Sequence, residues 1–359
     1  MDRRSVLTHA GLSGILAAAS APAVQAQPVV RWRLASSFPR ALDTIHGAAE
    51  AFAQRVRQMS GGRLEITVHP AGELVPAFGV IDAVQGGTIE AAHSAPYYFF
   101  GKDETFALGG AIPFGLNSRQ MSAWTYEGNG LKLMRDFYAQ YQMVHFPCGN
   151  TGAQMGGWMR KQIASASDLK GMKFRIGGFA GKVIERLGGV PQSIPGGEIY
   201  QALEKGTIDA AEWIGPYDDQ KLGFNKVAPY YYYPGWWEGG LQLDLYIHRR
   251  AYEALSSEHK AIVESASAHA HLITQARYDV RNPPALKQLV AAGARLRPFP
   301  QDLMAQAYRQ AMGLYEEIAA RNAQWRKVYT DYARFRADQN LWFRFAEATF
   351  DRFMQSQKL

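Results

Sequence analysis

The chain has 359 residues, which is longer than a single hydrophobic core usually supports, so two domains are expected. Hydrophobic residues make up 47% of the chain and charged residues 20%, and these ordinary globular values exclude a disordered or collagen-like protein. The net charge of +7 is mild and no dense Lys/Arg cluster with interleaved aromatic residues occurs, so nucleic acid is not an expected partner. Cys148 is the only cysteine, so no intramolecular disulfide can form.

Residues 1–26 are predicted to be an export signal that is cleaved from the mature protein. Arg3-Arg4 gives a charged start, a stretch of small and apolar residues follows, and small residues precede the cleavage point. The apolar stretch is too short for a membrane anchor. The run from Arg3 to Leu7 resembles a twin-arginine signal, and an ordinary secretory signal with two arginines is the alternative. Either signal predicts a location in the bacterial periplasm.

After this signal, apolar residues recur with the alternation of strands and with the spacing of amphipathic helices. In chain order the pattern predicts a strand at 29–35, a helix from 45 that stops at Gly61-Gly62, a strand at 64–68, a short helix at 80–85, a strand at 89–92, a helix at 118–140 and a strand at 143–146. This order predicts an α/β domain with a largely parallel sheet.

The same order begins again in the second half of the chain. It predicts strands at 156–159 and 172–176, a helix at 179–187, a helix that follows Gly197 and ends near Lys205, and strands at 208–213 and 241–247. From Tyr252 onward the pattern is helical, with breaks at Pro283-Pro284, 298–300 and Asn322. The predicted fold class is α/β with two domains, a ligand cleft between them and a long C-terminal helical tail.

Familiar catalytic motifs are not found. The segment from Gly177 to Lys182 resembles a phosphate-binding loop, but it has three residues between its outer glycines where four are needed, and Val183 replaces the required hydroxyl residue. Neither a GxSxG nucleophile motif nor an HExxH zinc motif occurs. Gly177-Gly178 is better explained by a loop that approaches a ligand closely or turns tightly into the next helix.

Polar groups stand where predicted strands leave the second sheet. Asn150 and Gln154 lie among glycines and can present amide groups to a ligand, and a polar turn is the alternative. Arg175 lies in an apolar strand, and a guanidinium that keeps its charge when buried needs an anion. Its planar fork suits a carboxylate ligand. A structural ion pair with Asp or Glu is the alternative.

Glu212 and Glu238 are both surrounded by apolar and aromatic residues. Two such carboxylates in one cleft repel each other unless one is protonated or a cation lies between them. Hard cations take carboxylate, amide and carbonyl oxygens, so these glutamates and Gln154 predict a cation site that also holds the carboxylate of a ligand. The rival hypothesis is an exported hydrolase that uses Glu212 and Glu238 as acid and base.

Several segments resemble the DctP-type receptors of tripartite ATP-independent periplasmic (TRAP) transporters. They are residues 31–39, 71–76, 150–158, 175–182, 202–209 and 212–221. The most specific segment is 226–240, with its tyrosine run and Trp236-Trp237, which resembles the branch of the family that binds 2-oxo acids. The resemblance covers nearly the whole chain after the signal, including the helical tail.

The resemblance implies a receptor and not an enzyme. It would bind a 2-oxo monocarboxylate, pyruvate or a short homologue, and deliver it to integral-membrane TRAP permease subunits. A receptor for a hydroxy acid such as lactate, with calcium, is the alternative within the family. The implied domains are 27–149 with 240–290, and 150–239 with 291–300. The tail, 301–359, exchanges between subunits in this branch, so the resemblance also implies a homodimer.

The resemblance also implies roles for individual residues. Arg175 corresponds to the arginine that pairs with the ligand carboxylate. The bound cation, sodium with calcium as the alternative, would be held by Gln154, Glu212, the carbonyl of Trp213, and Glu238. Asn150 and Tyr97 match positions near the pocket. The sequence departs from the family pattern at Pro96, where glycine is expected, and at Phe99-Phe100, where Tyr and Trp are expected, so ligand size stays open.

Overall fold

The computed structural model describes residues 28–357, and the predicted export signal lies outside the described residues. Within this range the strands are β1 (Val30–Ser36), β2 (Leu64–His69), β3 (Ala91–Ser94), β4 (Met143–Asn150), β5 (Trp158–Met159), β6 (Lys173–Arg175), β7 (Val190–Gln192), β8 (Ala210–Ala211), β9 (Tyr230–Tyr233), β10 (Gln242–His248) and β11 (Arg295–Pro298). The helices of the same range are α1 (Ile45–Met59), α2 (Val80–Gln85), α3 (Ser118–Tyr126), α4 (Gly130–Tyr138), α5 (Gly178–Arg186), α6 (Ile199–Glu204), α7 (Pro216–Leu222), α8 (Arg249–Glu253), α9 (Ser257–Ala291), α10 (Gln301–Arg321), α11 (Ala323–Phe345) and α12 (Glu347–Ser356).

The strands form two mixed sheets. The first has the order β2-β1-β3-β10-β4, in which β1 pairs parallel with β2 and β3, while β10 runs antiparallel between β3 and β4. The second has the order β11-β9-β5-β8-β6-β7. The chain therefore leaves the first sheet after β4, returns for β10 and enters the second sheet again at β11. This two-sheet α/β architecture confirms the predicted fold class.

Local signals in the sequence explain two helices that follow strands of the first sheet, α1 and α3. In α1 the buried side chains of Ile45, Ala49, Phe52 and Val56 recur at helical spacing, so one face of the helix packs inward. The start of α3 is fixed by a capping box, in which Asn117 Oδ1 accepts from the N–H of Gln120 and the amide of Gln120 accepts from the N–H of Asn117, both at 2.9 Å. These local contacts hold the helices behind the loops that face the second sheet.

The helix predicted at 118–140 is wrong, because two helices, α3 and α4, occupy this range. Gly128 packs against the backbone of Trp124, and a side chain there would lie 2.7 Å from the carbonyl oxygen of Trp124. Gly130, where α4 begins, lies under the Trp124 ring, and a Cβ would again come within 2.7 Å. Packing of the tryptophan against these glycines replaces the helical continuation.

The helix break predicted at Pro283-Pro284 is also wrong. α9 is continuous from Ser257 to Ala291, and both prolines lie inside it. The fixed φ of proline is compatible with a helix, and the loss is confined to the backbone bonds that the missing N–H groups would make. α9 packs on α1 and β4 and, near the prolines, on α7. This tertiary packing holds the helix together where local preference would end it.

The helical tail has two parts with different burial. α10 and α11 lie on the core, where the Tyr315 hydroxyl donates to the carbonyl of Pro113 at 2.8 Å and the Tyr332 hydroxyl accepts from the N–H of Leu116 at 2.7 Å. α12 buries none of its residues, and Phe350 and Phe353 are more than 60% exposed. The described helices include none that combines the length and apolar character needed to cross a membrane.

Candidate functional site

Backbone hydrogen bonds bring the predicted site segments together. The N–H of Glu212, just after β8, donates to the carbonyl of Arg175 at the end of β6, at 3.1 Å. The N–H of Gln154 donates to the carbonyl of Glu238 at 3.3 Å. These bonds place one arginine, two glutamates and one glutamine around a common volume at the end of the second sheet, where loops after strands carry ligand groups in α/β folds.

Arg175 and Glu212 form an ion pair that is almost completely buried. Arg175 is 2% exposed and Glu212 is 1% exposed. The Nη1 of Arg175 donates to Oε1 of Glu212 and, at 2.8 Å, to its carbonyl oxygen, and Nε donates to the carbonyl of Ile194 at 3.0 Å. The guanidinium also lies 5.0 Å from the centre of the Trp213 ring. The structural ion pair that the sequence left as an alternative is therefore present.

Several polar atoms around this ion pair have no hydrogen-bond partner among the described residues. They are Oε2 of Glu212, Oε2 of Glu238, Oε1 of Gln154, Nδ2 of Asn150 and the indole nitrogen of Trp213. Each buried polar atom without a partner costs about 1–3 kcal/mol, so such a group of them is not explained by stability. Three unpaired oxygens fit a hard cation, and the N–H donors fit an anion.

Burial changes the acidity of both glutamates. It raises the pKa of Glu212 to about 7, although the charge of Arg175 and the N–H of Gly177 act in the opposite direction. Burial, and then the charge of Glu212, raise the pKa of Glu238 well above its usual value. Glu238 therefore favours a proton when no ligand is bound, whereas Glu212, paired with Arg175, loses its proton near neutral pH. A cation between them would replace that proton and return both to the charged form.

Tyr97 follows β3 of the first sheet and lies beside the same volume, whereas the position of Asn150 near the pocket stays a prediction. Burial raises the pKa of Tyr97 well above its usual value, and the charge of nearby Glu238 raises this pKa further. The Tyr97 ring packs on the backbone of Gly177-Gly178, where a Cβ would come 2.9 Å and 3.0 Å from the ring side chain, respectively. The tight turn predicted for these glycines is present, since α5 begins at Gly178 with a φ of 55°, and the approach to a ligand stays a prediction.

Sequence reasoning missed Tyr98, which lies next to the guanidinium of Arg175. Burial raises the pKa of the Tyr98 phenol to about 12, opposed by the charge of Arg175. Its ring packs edge-on against Phe78 at 4.9 Å and against Tyr97 at 5.1 Å. Phe99, by contrast, faces Phe106 and Tyr246 in the first-sheet core. Residues 96–99 form a 3₁₀ turn, so their side chains do not alternate between two faces as they would in a strand. The sequence pattern therefore could not show that Tyr98 faces Arg175 while Phe99 faces the core.

Residues 28–357 contain no group of three or more His, Cys, Asp or Glu side chains arranged to hold a metal. The candidate site has two carboxylates, and its remaining donors would be the amide oxygen of Gln154 and a backbone carbonyl. That donor set is typical of sodium or calcium and unlike the His and Cys ligands of zinc. The role assigned to the Trp213 carbonyl stays a prediction.

A buried arginine and several buried oxygens without hydrogen-bond partners among the described residues lie together near Tyr97, and this set of groups suits a small ionic solute. Residues 35–322 match the DctP family model, described as bacterial extracellular solute-binding protein, family 7. The chain belongs to this family of TRAP solute receptors, which act in transport and are not enzymes. The hydrolase that stood as the rival hypothesis is thereby excluded, and the family is extracytoplasmic.

Known relatives match over nine-tenths or more of the chain. A monocarboxylate 2-oxoacid-binding periplasmic protein of Nostoc sp. is 45% identical, over 100% of both chains. A TRAP solute-binding protein of Bordetella bronchiseptica, a mixed-occupancy dimer with calcium and picolinate in its bound site, has 46% identity and a TM-score of 0.91, covering 92% of this chain and 98% of that chain. A TRAP solute-binding protein of Pseudoalteromonas atlantica with bound sodium and pyruvate has 37% identity and a TM-score of 0.88, covering 92% and 100%.

Proposed function

We propose that this chain is a periplasmic receptor that binds a 2-oxo monocarboxylate, pyruvate or a short homologue, together with a cation, and delivers it to a TRAP permease. The observation that carries the proposal is the set of unpaired polar atoms beside Arg175. The ligand carboxylate binds Arg175, while Asn150 and Tyr97 line the pocket. The cation is held by Gln154, Glu212, the Trp213 carbonyl, and Glu238.

The chemistry of the ligands in the two relatives supports a 2-oxo acid. Pyruvate has a carbonyl oxygen next to its carboxylate, and picolinate has a ring nitrogen in the same relative position. Each can therefore chelate a cation through two atoms while its carboxylate also meets an arginine. A simple carboxylate such as propionate lacks the second donor. Lactate has a hydroxyl there and is the second candidate.

Charge balance ties the choice of cation to protonation. Arg175 balances one glutamate, so a calcium ion and a monocarboxylate complete a neutral site when Glu212 and Glu238 are both ionised. Sodium completes a neutral site only when one glutamate keeps a proton. Because unbalanced charge is costly in a buried site, the two cations are expected at different protonation states.

A titration series tests this proposal. Purified protein, depleted of cations, is titrated by calorimetry with pyruvate, lactate and propionate, each with sodium, calcium or choline as the only added cation. Pyruvate should bind with sodium or calcium, and its affinity should exceed that of propionate by at least tenfold. Pyruvate binding in choline alone, or equal affinity for propionate, would remove the bridging cation from the proposal. Tight lactate binding with weak pyruvate binding would reassign the ligand.

The division into domains is part of the same proposal. Domain I is 27–149 with 240–290, domain II is 150–239 with 291–300, and the hinges lie near 148–150 and 239–243. The crossings of the chain between its two sheets, after β4 and before β10, support these positions. Closure on the ligand should make the radius of gyration in X-ray scattering smaller with pyruvate and calcium than without them. An unchanged radius would count against a closing cleft.

The tail is proposed to join two copies of this chain. The supporting observation is the exposed apolar face of Trp342, Phe345, Phe350 and Phe353, together with the dimer of the Bordetella relative. Trp325 and Tyr332 of α11 are buried, so a truncation must come after Tyr332 and before Trp342 to leave the core intact and remove the exposed face. The truncated chain should be a monomer that still binds pyruvate. Full-length protein that is monomeric by light scattering at tens of micromolar would remove the dimer.

A further inference from the structure

Two adjacent aspartates near the start of α7 are buried and point to different parts of the molecule. Asp218 is 0% exposed and Asp219 is 1% exposed. Successive side chains of a helix are turned by about 100°, so neighbours on a buried helix can reach different partners. Asp218 contacts elements behind the first sheet, and Asp219 contacts the second sheet. Neither is among the residues assigned to the ligand or the cation.

Asp219 holds the turn that follows Glu212. Its Oδ1 accepts from the backbone N–H of Ile214 at 3.3 Å. Its Oδ2 accepts from the indole of Trp158 at 3.0 Å and from the hydroxyl of Tyr231 at 2.7 Å. These two rings lie on β5 and β9 and are stacked 4.0 Å apart. The carboxylate therefore fixes the turn that carries a cation ligand to the middle of the second sheet.

The turn is also connected to the rest of the proposed cation site. The carbonyl of Ile214 accepts from the N–H of Met155 at 3.0 Å, next to Gln154. The backbone of Ile214 is thus bound through its N–H by Asp219 and through its carbonyl by the segment that carries Gln154. A shift of the backbone at Ile214 would move Glu212 and Gln154 relative to each other. Cation binding is sensitive to such shifts because ligand distances must match the ion.

Asp218 connects the same helix to the first-sheet side. Its Oδ1 accepts from the hydroxyl of Thr44 at 2.5 Å, and its Oδ2 accepts from the hydroxyl of Tyr278 at 2.7 Å. Thr44 precedes α1, which follows β1 of the first sheet, and is completely buried. Tyr278 lies in α9, which packs on both α1 and α7. The Thr44–Asp218 and Tyr278–Asp218 bonds therefore both cross between the parts of the chain that carry the two sheets.

We propose that Asp218 and Asp219 act together as positioning residues that couple the approach of the two sheets to the geometry of the cation site. Asp218 holds α7 against the first-sheet side. Asp219, on the same helix, holds the turn that carries Glu212 and Trp213, so the position of α7 sets the position of that turn. The inference rests on the proposed function, because it concerns the same site. Losing either bond frees the turn, so the two aspartates act in series and not as independent contributions.

A double-mutant cycle tests whether the two contacts are in series. Thr44→Val removes one of the two crossing bonds to Asp218 with an isosteric side chain. Asp219→Asn replaces one acceptor oxygen with an amide donor that faces donors. Each single variant should raise the Kd of pyruvate about tenfold in the presence of calcium, and the double variant should stay near tenfold. If Asp219→Asn does not fold, Tyr231→Phe takes its place, with an expected threefold change and the same lack of multiplication.

Tyr332→Phe is the matched control. It removes a buried hydroxyl of the tail helix α11 that accepts from the N–H of Leu116. It should lower stability with an unchanged Kd, which separates positioning from general destabilisation. A hundredfold rise in Kd for the double variant, or a wild-type Kd for Thr44→Val, would overturn the coupling and leave the receptor function intact. If the wild-type protein bound no pyruvate with either cation, the proposed function would fall first, and this inference with it.

Discussion

Four carboxyl groups between residues 212 and 238 are equally buried, but they differ in how their oxygens are bonded. Both oxygens of Asp218 and of Asp219 accept hydrogen bonds from named donors. Glu212 and Glu238 each keep one oxygen without a partner among the described residues. Depth of burial therefore does not distinguish the two aspartates from the two glutamates. Incomplete hydrogen bonding does, because a buried oxygen without a donor gains most from a ligand.

The largest effect is expected when the incompletely bonded site loses its arginine. In Arg175→Ala the ligand carboxylate loses its charged hydrogen-bond donor, and the affinity for pyruvate should fall by about 2 kcal/mol or more, which is at least thirtyfold. Arg175→Lys should lose nearly as much, because an ammonium cannot replace the planar fork. Calorimetry with pyruvate and calcium measures both variants. An Arg175→Ala variant with wild-type affinity would remove this residue from the ligand site.

The second prediction separates the two kinds of carboxylate directly. Glu238→Gln should abolish cation-dependent pyruvate binding while the ligand-free protein stays as stable as wild type or becomes more stable, since a buried acid beside Glu212 is removed. Asp219→Asn should lower the free energy of unfolding by about 1–3 kcal/mol, because it breaks satisfied bonds. Thermal unfolding in cation-free buffer makes the comparison. Equal destabilisation by both substitutions would contradict the distinction.

The third prediction concerns pH and the cation. Because burial raises the pKa of Glu212 to about 7, a cation must displace a proton to bind near neutral pH. Calcium needs both glutamates ionised and sodium needs only one, so the affinity for calcium should rise more steeply between pH 6 and pH 8. Calorimetry in buffers of different ionisation enthalpy counts the released protons. Identical proton release for the two cations would contradict the charge balance proposed for the site.

The same pKa shift sets the stability of the ligand-free protein. Between the ordinary value of 4.5 and about 7, the folded state keeps a proton on Glu212 that the unfolded chain has released. The contribution of Glu212 to the free energy of unfolding should therefore fall as pH rises through this range. The slope should disappear in Glu212→Gln, which cannot titrate. Unfolding by denaturant at several pH values, for wild type and Glu212→Gln side by side, measures the difference.

The smallest effect is expected from a single donor to a fully bonded acid. Tyr231→Phe removes one of the donors to Asp219 and leaves those of Trp158 and Ile214 in place. The free energy of unfolding should fall by about 1 kcal/mol, the usual net value of one hydrogen bond, and the Kd of pyruvate should rise about threefold. A loss as large as that of Asp219→Asn would mean that the tyrosine hydroxyl alone holds the carboxylate.

Much of the fold was predictable because its signals are local. Alternating and helical spacing placed β1, α1, β2, α2, α5 and β10 close to their observed positions. β9 was missed although Tyr230–Tyr233 is rich in strand-forming residues, and the two-residue strands β5 and β8 are shorter than periodicity can define. The helix through Pro283-Pro284 was mispredicted because its continuity depends on packing against distant elements.

The sequence by itself determined which charged residues needed an explanation: Arg175, Glu212 and Glu238 stand in apolar segments where an isolated charge is costly. Whether each one found a partner was decided only by the tertiary structure. Asp218 and Asp219 are adjacent in sequence, yet they meet donors from segments as distant as Thr44 and Tyr278. Hydrogen bonds depend on distance and direction in three dimensions. The order of residues along the chain therefore cannot show which acids have both oxygens hydrogen-bonded and which keep one oxygen without a partner.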